Sequence, residues 1–374
     1  LVKFRQYCLD ACEDILMIRR VSLSLLFLLF SLPLAAANVQ LNPDHPQQYE
    51  VVRGDTLWDI SGRFLKYPWH WPELWSVNSY IENPHLIYPG DLLTLVYRDG
   101  KPVLELTRGS TAYKMSPEVR EIELEKAIPT IPIDEIRAFL TRPQVLDEDT
   151  LSKAPYIVAG SEERLISGAG DSVYARGLTP DQGKHFSVFL QGRVYEDPET
   201  QEILGYEAIY KGNALVSAAG DPATVALRET NREVLVGDRL LPVIDDDYGM
   251  NFIPRSPEQA INGQIISVFN GVSQVGQYQI VVLNRGAREE LEVGHVLSIY
   301  QAGNTVIDPV LSGREDETYF NTHNKGVDRN ETVTLPDEHA GVAMVFKVFE
   351  KVSYAIIMKA TRAIHVNDRV SSAE

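Results

Sequence analysis

The stretch NPHLIYPGDLL, Asn83 to Leu93, sets two apolar residues, Leu86 and Ile87, between two prolines and directly before an apolar strand. Pro89 and Gly90 hold such a stretch as a turn, so Leu86 and Ile87 belong either to a core or to the rim of a binding site. Residues able to do covalent or metal chemistry are sparse elsewhere. Cys8 and Cys12 are the only cysteines, and both precede Met17. His70 and His85 lack a third ligand at a suitable spacing, and His323 and His339 lie in loop-like sequence, so no metal is expected. The GAGD stretch at Gly168 and the Ala219-Gly220-Asp221 stretch are not followed by a lysine and a helix, which makes them turns rather than phosphate loops. No Gly-x-Ser-x-Gly elbow or His-Glu-x-x-His helix occurs, and carboxylate pairs such as Glu162-Glu163 define no acid/base geometry. The chemistry expected is therefore recognition, with no catalytic residue, metal or cofactor.

The elements around that turn can be read from local pattern. In YEVVRGDTLWDISGRFL, Tyr49 to Val52 reads as a short strand and Arg53-Gly54 as a turn. Asp55 or Thr56 is placed to cap a helix, with Asp59 three residues after Thr56. Leu57, Ile60 and Phe64 recur on one helical face, although Gly62 weakens the helix. In KYPWHWPELWSVNSYI, Pro72 suits the first turn of a second helix, Leu74, Trp75 and Val77 give it an apolar side, and Asn78 ends it. A last strand spans Leu92 to Tyr97. Two short strands in this order can pair antiparallel and carry both helices on one face.

VVRGDTLWDIS, then VN, then NPHLIYPGDLLTL resembles a LysM domain over residues 49–97. The resemblance implies a βααβ fold that binds glycans containing N-acetylglucosamine, in a bacterium peptidoglycan. It implies a shallow groove with Gly54, Asp55, Thr56 and Leu57 on one wall and Asn83, Leu86, Ile87 and Pro89 on the other. Backbone N–H and C=O groups there would meet acetamido and hydroxyl groups, and small apolar side chains would cover ring faces. Asp55 and Thr56 are also helix-capping residues, and Pro89-Gly90-Asp91 is also a tight turn. The segment Tyr67-Pro-Trp-His-Trp-Pro departs from a minimal LysM domain and resembles a proteobacterial subgroup; it either alters the groove or adds a packing shelf. Trp58, Trp71 and Trp75 read as packing residues and Trp69 as the exposed aromatic.

Residues 98–154 read as a connector. RDGKPVLELTRG suits a hairpin extending the first module, and KAIPTIPIDEIRAFLTRPQ contains one short helix from Asp134 to Leu140, capped by Asp134 and stopped by Pro143. Its prolines make it semi-rigid. From Pro155 on, strand signals dominate, giving a β-rich region at 155–250 and a second at 251–374 that repeats it in degenerate form. YEDPETQEILGYEA is a hairpin around Pro198 to Gln201. Units opening at Gly205, Gly263 and Gly341 each close with a Val-Gly/Asn-Asp/His turn into a strand, ending at Pro242, Tyr300 and Ser372. Such turns suit small barrels or sandwiches. The polar insert Gln301 to Glu338 reads as a surface loop. The fold class expected is α+β: a small LysM module, then a mainly β region.

Residues 17–37 read as a secretory signal, with Arg19-Arg20, an apolar run from Val21 to Leu34 and Ala35-Ala36-Ala37; residues 1–16 read as upstream over-extension. The chain carries −17 formal charge, and −18 once residues 1–37, with four basic and three acidic groups, are set aside. That argues against nucleic acid and anionic membrane as partners, leaving membrane contact only through an uncleaved signal. The expectation is an exported, periplasmic or envelope protein of Gram-negative type that binds peptidoglycan and uses its β-rich region as scaffold or protein-interaction module. The alternative is a cell-wall hydrolase or hydrolase activator targeted by its LysM domain.

Overall fold

The computed structural model describes residues 39–75, 86–108, 127–141, 144–243, 252–269, 274–308 and 332–373. The N-terminal segments read above as over-extension and signal, and the stop at Asn78, lie outside the described residues. Among the described residues no helix is long and apolar enough to cross a membrane.

The first module opens with β1 (Gln48–Glu50), followed by α1 (Leu57–Phe64) and α2 (Trp71–Trp75), then β2 (Leu92–Arg98). β1 and β2 pair antiparallel, with Tyr49 opposite Leu93. A third strand, β3 (Lys101–Thr107), extends the sheet through a hairpin at Asp99-Gly100. Both turn residues have positive φ, 52° and 76°, as a two-residue turn matched to strand twist requires. Leu57, Ile60 and Phe64 are buried together, so the helical spacing sets the buried face.

The connector places α3 (Ile133–Thr141), then β4 (Gln144–Leu146) and α4 (Glu148–Lys153). Asp147 caps α4 through a bond from Thr150 N–H; that backbone bond holds its carboxyl below the usual range.

Two closed six-stranded barrels follow, which resolves the barrel-or-sandwich alternative. The first contains β5 (Tyr156–Gly160), β6 (Ser172–Arg176), β7 (His185–Glu196), β8 (Ile203–Ala218), β9 (Ala223–Thr230) and β10 (Arg239–Pro242). Its order around the wall is β5-β6-β9-β8-β7-β10 and back to β5, with β4 added outside on β8. The second contains β11 (Asn262–Val268), β12 (Ile280–Leu283), β13 (Val296–Gln301), β14 (Glu338–Val348), β15 (Ser353–Ala360) and β16 (Arg369–Ser372). Its order is β11-β12-β15-β14-β13-β16 and back to β11. The two orders are identical, and every pairing is antiparallel. Exchanging the first three strands of a barrel with its last three leaves the order unchanged. The repeat units opening at Gly205, Gly263 and Gly341 are such half-barrels.

The closing turn of each unit has one cause. In Leu235-Val236-Gly237-Asp238 the aspartate accepts a 2.7 Å bond from Leu235 N–H while Gly237 sits at φ 94°. In the second barrel Asp368 accepts from His365 N–H at 2.8 Å with Asn367 at φ 74°. His295 Nδ1 does the same for Glu292 N–H at 3.1 Å with Gly294 at φ 92°. Positive φ at the third position is the demand of a type II turn, which glycine and asparagine meet.

The long β7–β8 hairpin, turning through Pro198 to Gln201, reaches onto the second barrel. At its tip Asp197 accepts from Asn284 Nδ2 at 2.9 Å and Arg285 at 3.4 Å. Burial opposes its charge, but bonds from Thr200 and Glu199 N–H and the Asn284 amide hold the carboxyl below the usual range. Tyr195 and Leu204 of the hairpin join one apolar cluster with α3 residues Ile136 and Leu140, second-barrel residues Ile280, Met344 and Tyr354, and Trp58 and Trp69 of the first module.

Candidate functional site

The groove implied by the resemblance is framed by two turns of the same design. In Val52-Arg53-Gly54-Asp55, Asp55 Oδ2 accepts 2.9 Å bonds from Val52 N–H and from the Tyr49 hydroxyl. Burial, and then that bond, raise the Tyr49 phenol above its ordinary value. In Tyr88-Pro89-Gly90-Asp91, Asp91 Oδ2 accepts from Tyr88 N–H at 3.0 Å and from Arg108 at 2.7 Å. Gly54 at φ 98° and Gly90 at φ 87° occupy the left-handed position that a side chain would strain. Val51 ties the walls together: its N–H donates to Asp91 O at 2.9 Å and its carbonyl accepts from Gly90 N–H at 2.7 Å.

Thr56 is the N-cap of α1, its Oγ1 accepting from Asp59 N–H at 3.1 Å. That settles the alternative left open between Asp55 and Thr56: Asp55 closes the turn and Thr56 caps the helix. Thr56 and Leu57 are buried, so what they offer a ligand is backbone. Ile87 is fully buried and Leu86 is 42% exposed; the pair splits between core and rim. Gly54 is exposed, Asp55 and Pro89 are half-buried, and Asn83 lies outside the described residues.

Trp69 corrects the sequence reading. It is buried, 5% exposed, with its ring centroid 6.3 Å from Trp58 and 5.1 Å from Tyr67. The Tyr67-Pro-Trp-His-Trp-Pro segment is thus a packing shelf, whose bulk is hidden because α3 and the second barrel supply the facing apolar surface. Across that junction the Tyr278 hydroxyl donates to Asp59 Oδ1 at 3.2 Å. Burial and the adjacent Asp59 carboxylate push the Tyr278 phenol up to about 12. Trp58, Trp71 and Trp75 are buried as expected.

A further segment reaches the groove that spacing did not place there. Ile128 N–H donates to Ile87 O at 2.8 Å, while Leu57 N–H donates to Pro129 O at 3.0 Å and Trp58 N–H to Thr130 O at 3.1 Å. Residues 127–131 therefore bond to both walls. The available signal was the Ile-Pro-Thr-Ile-Pro pattern: each proline forces the residue before it to be extended.

The other groups singled out make local contacts. His70 Nδ1 lies 3.1 Å from Glu73, and the His339 ring stacks edge-on against Tyr300. Asp171 Oδ2 accepts from Gly168 N–H at 2.8 Å, so GAGD is one more turn of the same design. His85 and His323 lie outside the described residues.

Residues 49–96 match the LysM domain family model. The chain therefore carries a LysM domain, followed by a mainly β region of two barrels. A 60-residue stretch is 37% identical to "Uncharacterized protein YqbP" of Bacillus subtilis (strain 168), covering 13% of this chain and 27% of that protein. The chain thus spans about a quarter of that relative's length. LysM domains bind peptidoglycan and chitin-type N-acetylglucosamine glycans, which is the kind of ligand that such a domain suggests.

Proposed function

We propose that this chain is an exported, non-enzymatic protein of the bacterial cell envelope, periplasmic in a Gram-negative cell. Its LysM domain holds peptidoglycan, and its two barrels act as scaffold or dock another envelope protein. The observation that carries the reading is the pair of matched Gly-Asp turns, tied together through Val51 and with Leu86 exposed beside the second. A shallow groove of this size recognises short glycans weakly, because a small interface must offset the cost of association. Repeats along a polymer supply the rest by avidity.

Sedimentation with insoluble peptidoglycan tests this. Leu86→Asp puts a charge on an exposed rim position and should weaken pelleting by about tenfold, roughly 1.4 kcal/mol, with the fold intact. Undiminished pelleting of Leu86→Asp overturns the groove. Peptidoglycan that pellets neither the wild type nor Ile128→Pro, in which one bond between the connector and the groove is removed, overturns the glycan reading.

A further inference from the structure

We propose that residues 127–131 are a strap seated in the glycan groove, so that a glycan binds only by displacing this segment of the chain. The inference rests on the glycan reading above and concerns regulation of the same site.

The strap bonds with the chemistry a glycan would use. An acetamido group is an amide: one N–H donor and one carbonyl acceptor. The strap presents the same pair to the two walls. Ile128 N–H is given to the Ile87 carbonyl, and the Pro129 and Thr130 carbonyls accept from Leu57 and Trp58. Leu57 and Trp58 open α1, where backbone N–H groups have no partner within the helix. The next two are already used, Asp59 N–H by Thr56 Oγ1 and Ile60 N–H by the Thr56 carbonyl. The strap therefore takes the two donors at the helix start that remain for a ligand, at the end of the helix that favours an oxygen.

The strap is built for occupancy rather than for permanent pairing. Pro129 and Pro132 lack an N–H, so the segment cannot run on as a sheet strand. It is anchored beside the groove by Ile131, fully buried with Trp58 and Ile136. Inside the groove it relies on three backbone bonds and the buried Ile128. The Ile128 end can lift while Ile131 keeps its place in the core.

The test compares the full chain with Ile128→Pro, which deletes the donor to Ile87, and with Ile128→Ser, which deletes the apolar seat. Both leave Ile131 in place, and thermal melts check that each folds. In the unliganded wild type, the Leu57, Trp58 and Ile128 amides should exchange slowly with solvent deuterium. Both variants should reach half-maximal pelleting at about one-tenth the peptidoglycan, since a site occupied by its own chain binds in proportion to the fraction left open. Equal half-saturation by wild type and folded variants overturns the strap and leaves the glycan reading standing. Exchange of the Leu57 and Trp58 amides at open-loop rates in the wild type also overturns it, with no variant required. Failure of all three proteins to pellet overturns the glycan reading, and the competition with it.

Discussion

The two barrels share one strand order and differ in what lies outside them. In the first, side chains alternate: Val173 and Ala175 of β6 point inward and are buried, and Tyr174 between them is 39% exposed. β9 alternates in the same way through Ala223, Val225 and Leu227. In the second, β12 is buried at every residue, and β14 is buried from Ala340 to Lys347. Alternate residues fill the barrel, including Val281, Leu283, Ala343 and Val345, and the others, such as Val282, Met344 and Phe346, face α3, the β7–β8 hairpin and the tryptophan shelf. Topology therefore fixes the barrel, and the cover decides whether its strands read as alternating or continuously apolar. The second barrel is the platform on which the LysM domain is mounted; the first is covered by β4 and α4 over Phe189, Ala208 and Leu241 and left open over β6 and β9.

Substitutions at equivalent outward positions should break that comparison most visibly. Tyr354 lies in the covered wall and packs edge-on against Phe269 at 5.0 Å and Phe349 at 5.0 Å. Tyr354→Ala should cost about 3–5 kcal/mol in urea unfolding, as for other large aromatic truncations. Tyr174→Ala, on the open wall, should stay within about 0.5 kcal/mol. Similar losses at both positions would sink the distinction between covered and open walls.

The buried lysines sharpen it. Lys211 of the first barrel pairs with Asp238 at 2.7 Å, both almost fully buried. Lys347 of the second barrel instead points outward and donates to Leu140 O at 2.9 Å, at the C-terminal end of α3, where a cation meets the negative end of the helix. Lys211→Met strands a buried carboxylate and should cost about 3–5 kcal/mol. Lys347→Met leaves neutral carbonyls without that donor and should cost about 1–3 kcal/mol. Its loss should also raise amide exchange in α3, which Lys211→Met should not do.

Much of this was legible in the residues. The Gly-Asp turns, the Leu57/Ile60/Phe64 face, the hairpin at Pro198 to Gln201 and the half-barrel repeat all follow from local chemistry, because a turn or a helix face is decided within a few residues. Trp69 and the strap were not legible for one shared reason. Whether an aromatic is exposed depends on what covers it, and the cover of Trp69 comes from α3 and from β-strands more than 200 residues away. AIPTIPI announces an extended segment, but nothing within it names Ile87, Leu57 and Trp58 as its partners. The sequence sign of a strand covered on both faces is an apolar run without alternation, as in Ile280-Val281-Val282-Leu283 and Val342-Ala343-Met344-Val345-Phe346.

The smallest expected effect lies in the closing turns, where the barrels use different acceptors. Asp238 serves the first barrel, and His295 and Asp368 serve the second. His295 Nδ1 can accept from Glu292 N–H only when the ring is neutral. Burial, then the Arg255 guanidinium, lowers its pKa below the ordinary 6.5; burial, then Lys359, lowers that of His339. The unfolded chain thus binds protons first as pH falls through 6.5, so stability present above that value is lost progressively below it. Asp368 acts in the opposite sense and in a lower window: burial raises its carboxyl above 3.8, so its protonation there favours the folded form. Unfolding of the second barrel, followed at the Phe346 and Tyr354 amides, should ease as pH falls below 6.5, and more than that of the first barrel, whose closing turn uses an aspartate, Asp238, in place of a histidine. His295→Asp should flatten the pH profile of the second barrel. A profile unchanged in that variant would show that the closing turn does not set the difference between the barrels.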